Sequence, residues 1–437
     1  ATFTDNRDII TTAYNFNLAE FIRAGYGKHI AVMEQEIRAF RKDEDFNDEE
    51  KQKIVLKALL MLAYVAKDLR GLGDLGGLHY HHPLLVMMGH TVNTDEADVK
   101  LFFRELVKIG KGDVEKETWQ AAKDELWGEL IQRPPYMFEL DTVHIQKQRF
   151  ETLSLDDLRE LVFHGRKPGE IEVLKRPSNH QEVAFKLKTA EQPFALIKIG
   201  DIASFLKNEL VGYEINETFE DESYFDRLDE DESTINILMG SRTFYEGWDS
   251  NRPNVMCFVN IGMGTEARKF LLQSIGRGVR IEPLPDVRRR ILPLSNAGYI
   301  DRGIVDHLQQ QGADPGSLPI ETLFIFGTNR SALQHVISHL SQEQRKVKDS
   351  HTLSLSVNDE VGQRLLLIPT FQRADHLLVE DREPTKFKTT KKERNLLAAY
   401  LNALDDRVLL ARYGVEPKRI AWLRKSFQKA VRKAYLP

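Results

Sequence analysis

Cysteine is nearly absent: Cys257 is the single thiol in 437 residues. That excludes an internal disulfide framework. Its setting in an apolar run reads as inert packing in a reducing, cytoplasmic compartment. No apolar run approaches the roughly 18 residues of a membrane span, so no membrane partner is expected. Nowhere does Gly-x-x-x-x-Gly-Lys-Ser/Thr occur, so the sequence carries no phosphate loop. The nearest approach is Gly71 to Gly77, where Gly77 and Leu78 stand in place of the needed Lys and Ser/Thr. That stretch reads as a linker or turn. Overall basicity is lacking too. The net charge is −5, which excludes a molecule-wide nucleic-acid-binding charge. Met is missing from the start, and Ala1 in its place predicts a cut or processed chain.

What is present is alternation. Hydrophobic residues make up 41% of the chain, enough for the cores of two or three domains. Residues 1–70 read mostly helical, from Leu18, Phe21 and Ile22 and then Ile54, Leu56, Leu59, Leu60 and Leu62 at helical spacing. Pro83 to Met88 is a short apolar run of the kind buried in a parallel sheet. A polar loop follows, then a helix carrying Val99, Leu101, Phe102 and Leu106. Residues 111–190 contain a helix with Trp119 and Trp127 and a hairpin of Glu170 to Leu174 with Val183 to Leu187. Further strands are expected at Phe194 to Ile199, Ile235 to Met239, Val255 to Ile261 and Thr322 to Phe326. Asp201 is placed to cap the helix carrying Ile202, Phe205 and Leu206, and Thr265 to cap one bearing Ala267, Phe270, Leu271 and Ile275. Strands alternating with helices predict an α/β fold with a parallel sheet. Sites in such sheets gather at the carboxyl ends of strands.

The densest chemistry lies between Ser241 and Arg280. A Gly247-Trp248-Asp249 turn precedes Gln273-x-x-Gly276-Arg277-x-x-Arg280. Two always-charged guanidiniums beside a glutamine suit the polyphosphate of a nucleotide. Spacings of i, i+4 and i+7 place Gln273, Arg277 and Arg280 on one face, provided the helix continues that far. These segments resemble motifs V and VI of superfamily 2 helicases. The wording Gly-Ser-Arg-Thr-Phe-Tyr-Glu-Gly-Trp-Asp-Ser-Asn-Arg-Pro-Asn-Val, then Gln-Ser-Ile-Gly-Arg-Gly-Val-Arg-Ile-Glu-Pro, is similar to the Res subunit of type III restriction enzymes. The match is dense over residues 240–283 and extends over roughly residues 1–330.

The resemblance implies a RecA-like parallel sheet flanked by helices. Residues 1–78 are then a helical segment following a first RecA-like domain. Residues 79–345 form the second, with an inserted subdomain at about 111–190, and 346–437 a mixed β/helical basic region. It implies ATP with Mg²⁺ as cofactor, bound mainly by the first domain, and double-stranded DNA and the methyltransferase (Mod) subunit as partners. Gly247, Asp249, Gln273, Arg277 and Arg280 fall on ATP-binding positions. Gly247 allows a sharp turn, and Asp249 accepts hydrogen bonds from a ribose or from motif VI. Gln273 orients neighbours or a water. Arg277 and Arg280 reach the γ-phosphate, Arg280 as the finger. Thr91, Thr94, Ser241 and Arg242 fall where DNA-backbone contacts are expected. Thr94 reads equally as a helix N-cap, and Arg242 as the partner of a structural carboxylate. Ala1-Thr2 resembles the tail of motif III, which predicts that the first domain, with its Walker motifs, precedes this chain and that the chain alone does not turn over ATP.

Several short matches are decoys. Asp95-Glu96-Ala97-Asp98 spells the metal-binding motif II, but it opens a helix after Thr94, where acids complement the helix dipole. Asp98-Val99-Lys100 mimics part of a nuclease centre without a strand or an upstream Asp, so no nuclease is expected. His79, His81 and His82 lack a paired ligand set, so no metal site is expected. Charge is uneven along the chain. Residues 217–232 hold nine acids and one Arg, which reads as a solvated acidic loop; from Lys386 onward, fourteen Lys/Arg face four Asp/Glu. Tyr400, Trp422 and Phe427 interleave with that basic region, which reads as an amphipathic packing helix or as a nucleic-acid contact. Two alternatives to the motor reading stay open: a non-catalytic DNA- or protein-binding module, and a superfamily 2 repair helicase outside restriction.

Overall fold

The computed structural model describes residues 18–33, 48–73, 75–89, 98–131, 136–138, 143–200, 202–217, 222–241, 249–259, 265–327, 390–393, 395–396, 399, 418–422 and 425. The chain divides into two units, Ala1–His351 and Thr352–Pro437.

The first unit is built on one sheet, and its central strands β2, β9 and β10 are buried along their whole length. In chain order come α1 (Leu18–Arg23), β1 (His29–Val32), α2 (Asp48–Leu72), β2 (Leu84–Gly89), α3 (Asp98–Lys111), α4 (Lys116–Ile131) and β3 (Tyr136–Phe138). Then follow α5 (Lys147–Glu151), α6 (Leu155–Phe163), β4 (Ile171–Lys175), β5 (Glu182–Leu187), β6 (Ala195–Lys198), α7 (Ala203–Asn208), β7 (Glu214–Glu217) and β8 (Ile237–Ser241). The last are β9 (Pro253–Val259), α8 (Thr265–Gly278), α9 (Ile291–Asn296), α10 (Arg302–Gln310) and β10 (Thr322–Gly327). Ten strands lie in the order β3-β1-β10-β9-β2-β8-β6-β5-β4-β7. The six from β1 to β6 are mutually parallel. The sheet is therefore mixed and mostly parallel, flanked by helices, as an α/β fold requires.

Alternation along each strand divides the core. Leu85, Met87, Val255, Cys257, Phe324 and Phe326 point to a layer with α2, α3, α4 and α6. Leu84, Val86, Met88, Met256, Phe258, Leu323 and Ile325 point to the opposite layer, with Phe270, Leu271 and Ile275 of α8 and Val279 just beyond it. Cys257 is wholly buried, and burial pushes its thiol far above the ordinary range, so it is packing rather than a nucleophile.

Three expectations need correction. Residues 1–78 are not only helical: His29–Val32 is a strand paired in parallel with β10. Four residues are too few to show a period, and Lys28 and His29 disguise a buried element. The expected hairpin of β4 and β5 forms, with Val173 opposite Phe185. It continues the main sheet, however, because β5 also pairs with β6. The N-cap of α7 is Ile202, which makes no side-chain cap; Asp201 lies outside the described residues. The acidic stretch is solvated as expected, with every described carboxylate exposed except half-buried Asp229, and it is anchored as well: Leu228 is buried, Glu217 belongs to β7, and Asp229 accepts from the Ser250 hydroxyl.

In the second unit the described residues are helical at 391–393, 395–396, 399, 418–422 and 425. Thr390 and Glu393 bond each other's backbone N–H (2.7 and 3.3 Å), a reciprocal N-terminal box that starts the first of these. The β-structure expected within 346–437 falls on no described residue. Among the described residues no helix is long and apolar enough to cross a membrane.

Candidate functional site

Helix α8 crosses the sheet from its carboxyl edge to its amino edge, held by one apolar stripe. Gly278, at its end, sits so close to the sheet that a Cβ there meets Met256 Sδ at 2.6 Å and Leu323 Cδ2 at 3.0 Å. Gly276, two residues earlier, faces open space. Gln273 is exposed and Arg277 half-exposed, one turn apart on this helix. The helix stops at Gly278, so the expected i+7 placement of Arg280 on the same helical face does not hold. Arg280 instead begins the chain leaving the helix, and its N–H bonds the Arg277 carbonyl at 3.3 Å.

Arg280 is positioned through its backbone. It bridges Gly27, and the Lys28 N–H donates to the Val279 carbonyl at 2.7 Å. The same Lys28 reaches with its side chain to the next segment, donating Nζ to the carbonyls of Asn251 (2.8 Å) and Pro253 (2.5 Å). One residue thus ties the end of α8 to the segment that follows Asp249. Asp249 and Arg280 meet there in an ion pair, with 54% and 28% of their side chains exposed. Always-charged Arg280 is therefore partly exposed on a fixed backbone, beside a carboxylate whose place another anion can take. Ion pairs at a protein surface stabilise by about 1 kcal/mol or less.

Lys28 is buried, and burial lowers its ammonium to about 7 against the pull of Asp229 and Glu321. Glu321, also buried, is raised to about 7 by desolvation. Its Oε1 accepts from the Tyr80 hydroxyl (2.6 Å) and the Ile291 N–H (2.8 Å). His29 is lowered to about 3 by burial and by Arg290, and its Nε2 bonds the Gly316 carbonyl at 3.0 Å. A second clamp is Arg252, buried at 2% exposure. Its guanidinium donates to the carbonyls of His82 (2.9 Å), Leu228 (2.5 Å) and Ile235 (2.6 Å). Three carbonyls around one planar fork need Arg rather than Lys. Neither Lys28 nor Arg252 stands out in the sequence. The only hint is a cation next to an apolar strand start, which also describes many surface residues.

Asp249 and Arg280 lie at the amino edge of the sheet, ahead of β9 and β1, and not at the carboxyl edge expected for sites of this fold. The reason is the return path of α8, which brings Arg280 back to the start of β1, while Asp249 lies just ahead of the first residue of β9. Ser241, by contrast, ends β8 at the carboxyl edge. With strands of five to seven residues, the two edges are roughly 20 Å apart. Thr91, Thr94, Arg242 and Gly247 lie outside the described residues. Asp98 opens α3, and Lys100 is buried against Glu209 at 3.3 Å, a structural pair rather than a nuclease lysine. The structure also gathers a set that the sequence does not: His79, His81 and Asp231 converge from segments 150 residues apart.

No family model matches the chain, and no curated protein or solved structure matches it either.

Proposed function

We propose that this chain is the C-terminal motor half of an ATP-dependent DNA helicase or translocase of the type III restriction (Res) kind. Its mostly parallel sheet acts as the second RecA-like domain. The Asp249–Arg280 ion pair carries this reading: a guanidinium on a fixed backbone, half-exposed and held by a carboxylate that a phosphate can replace. When the cleft closes on ATP, Arg280 exchanges Asp249 for the γ-phosphate and stabilises the charge that develops there. An arginine in this role is worth roughly 10³ to 10⁵ in rate. Arg277 adds charge from the same helix end, and Gln273 orients a water or a neighbour. Asp249, once released, is free to accept from the ribose.

The residues present fit one end of the nucleotide only. The sequence has no phosphate loop, so the β-phosphate and Mg²⁺ belong to a partner RecA-like domain, in the same polypeptide or another. DNA runs on the opposite edge, with Ser241 beside its backbone. Contacts at the two edges then make nucleotide closure and DNA grip separate events on one rigid sheet. The test is to supply a P-loop RecA-like domain ahead of residue 1 and measure ATP hydrolysis with and without double-stranded DNA. The joined protein is expected to hydrolyse ATP when DNA is added, and the unjoined chain to show no turnover. Robust turnover by the pure unjoined chain overturns the half-site reading. A joined protein indifferent to DNA overturns the motor.

A further inference from the structure

We propose that His79, His81 and Asp231 form a binding site for one divalent transition-metal ion of the zinc class. The site shares no residue with the Asp249–Arg280 pair and does not rest on the motor reading. His81 Nδ1 lies 3.2 Å from Asp231 Oδ1, and His79 Nε2 lies 3.7 Å from the same oxygen. All three donor atoms fall within 4.8 Å of one another. Ligands about 2.0–2.1 Å from a tetrahedral zinc stand roughly 3.3–3.4 Å apart. Both nitrogens lie near that spacing from the carboxylate oxygen. The imidazole rings meet edge to face, centroids 5.2 Å apart at 88°, so their ligating nitrogens converge while the rings do not clash. Two imidazoles and one carboxylate, with no thiolate, suit Zn²⁺, Ni²⁺ or Cu²⁺. His79 and Asp231 are 58% and 63% exposed, which leaves room for water to complete the shell.

The ligands are held in place without the ion. The His79 N–H donates to the Pro283 carbonyl at 2.7 Å. On the other side, buried Glu182 receives the Ser223 hydroxyl (2.8 Å) and the N–H groups of Tyr224 (2.8 Å) and Phe225 (3.2 Å). Arg252 bonds both the His82 and the Leu228 carbonyls, tying the two ligand segments to one guanidinium. Asp229, bound to Ser250, adds a second negative charge close to His81, which favours a cation. Held in this way, the backbone segments that carry the ligands lose little freedom when the ion binds. The ion then closes a clip between the loop ahead of β2 and the acidic segment ahead of β8.

The test is a Zn²⁺ titration of the full chain without a histidine tag, after chelator treatment, read by competition with a chromophoric chelator. Co²⁺ serves as a spectroscopic stand-in. One ion per chain is expected, with the visible absorption of a low-coordinate nitrogen/oxygen site. Asp231→Asn and His81→Ala should each weaken binding about tenfold or more, while His82→Ala leaves it unchanged. Asp231→Asn alters only an exposed side chain, so it keeps the test valid if a histidine variant misfolds. No binding by the wild-type chain below about 100 μM Zn²⁺ overturns the proposal. Binding that survives both Asp231→Asn and His81→Ala does the same.

Discussion

Lys28, Arg252 and Glu321 are buried charges, and burying a charge is costly unless its partners are complete. Arg252 meets this condition with three backbone carbonyls. Arg252→Ala leaves all three without that donor, and the expected loss is about 3 kcal/mol or more in urea unfolding. Glu321 behaves differently, because its folded-state value lies above the ordinary carboxylate value, at about 7 against 4.5. Its protonated form is the one the fold prefers. The stability it contributes is fully present below pH 4.5 and is lost as pH rises through about 7. Relative to Glu321→Gln, which keeps an oxygen for Tyr80 and Ile291, the wild type should lose up to about 3 kcal/mol over that interval. Urea midpoints of the two proteins from pH 4 to 8 check the sign. Parallel curves contradict it.

Helix α8 shows which elements sequence alone makes legible. Its apolar face, Phe270, Leu271 and Ile275, repeats at helical spacing and is buried as expected. The strands β2, β6, β8, β9 and β10 were legible for a similar reason, as brief apolar runs between turn signals. The end of α8 was not, because Gly278 stops the helix against Met256 and Leu323, a tertiary contact that no local pattern encodes. The contrast between its two glycines is testable. Gly278→Ala pushes a Cβ into the sheet and should destabilise by about 1–3 kcal/mol. Gly276→Ala meets open space and should stabilise by up to about 1 kcal/mol. Thermal unfolding of the two variants separates them. Strand β1 escaped the sequence for the opposite reason: it is too short for a pattern and is defined by its neighbour β10. The Asp249–Arg280 site was legible as residues but not as a place, since which edge of the sheet they occupy depends on the return path of α8. Asp231 was illegible as a partner of His79 and His81 because it joins them only through the fold.

Across the whole molecule, charge and geometry divide the labour. The acidic segment is fastened ahead of β8, and Asp249 and Arg280 stand at the amino edge. The basic stretch from Lys386, fourteen cations against four acids, belongs to the other unit. If the chain grips DNA through its phosphates, affinity for double-stranded DNA should fall steeply from about 50 to about 200 mM salt, linearly in log–log form. Anisotropy titrations measure this, and a flat response contradicts a phosphate-tracking surface. The central claim concerns Arg280, and it is tested most directly by kinetics. In the protein supplied with its P-loop domain, Arg280→Ala should lower DNA-stimulated kcat by about 10³-fold or more while DNA affinity stays unchanged. An Arg280→Ala protein that hydrolyses ATP at the wild-type rate contradicts the account.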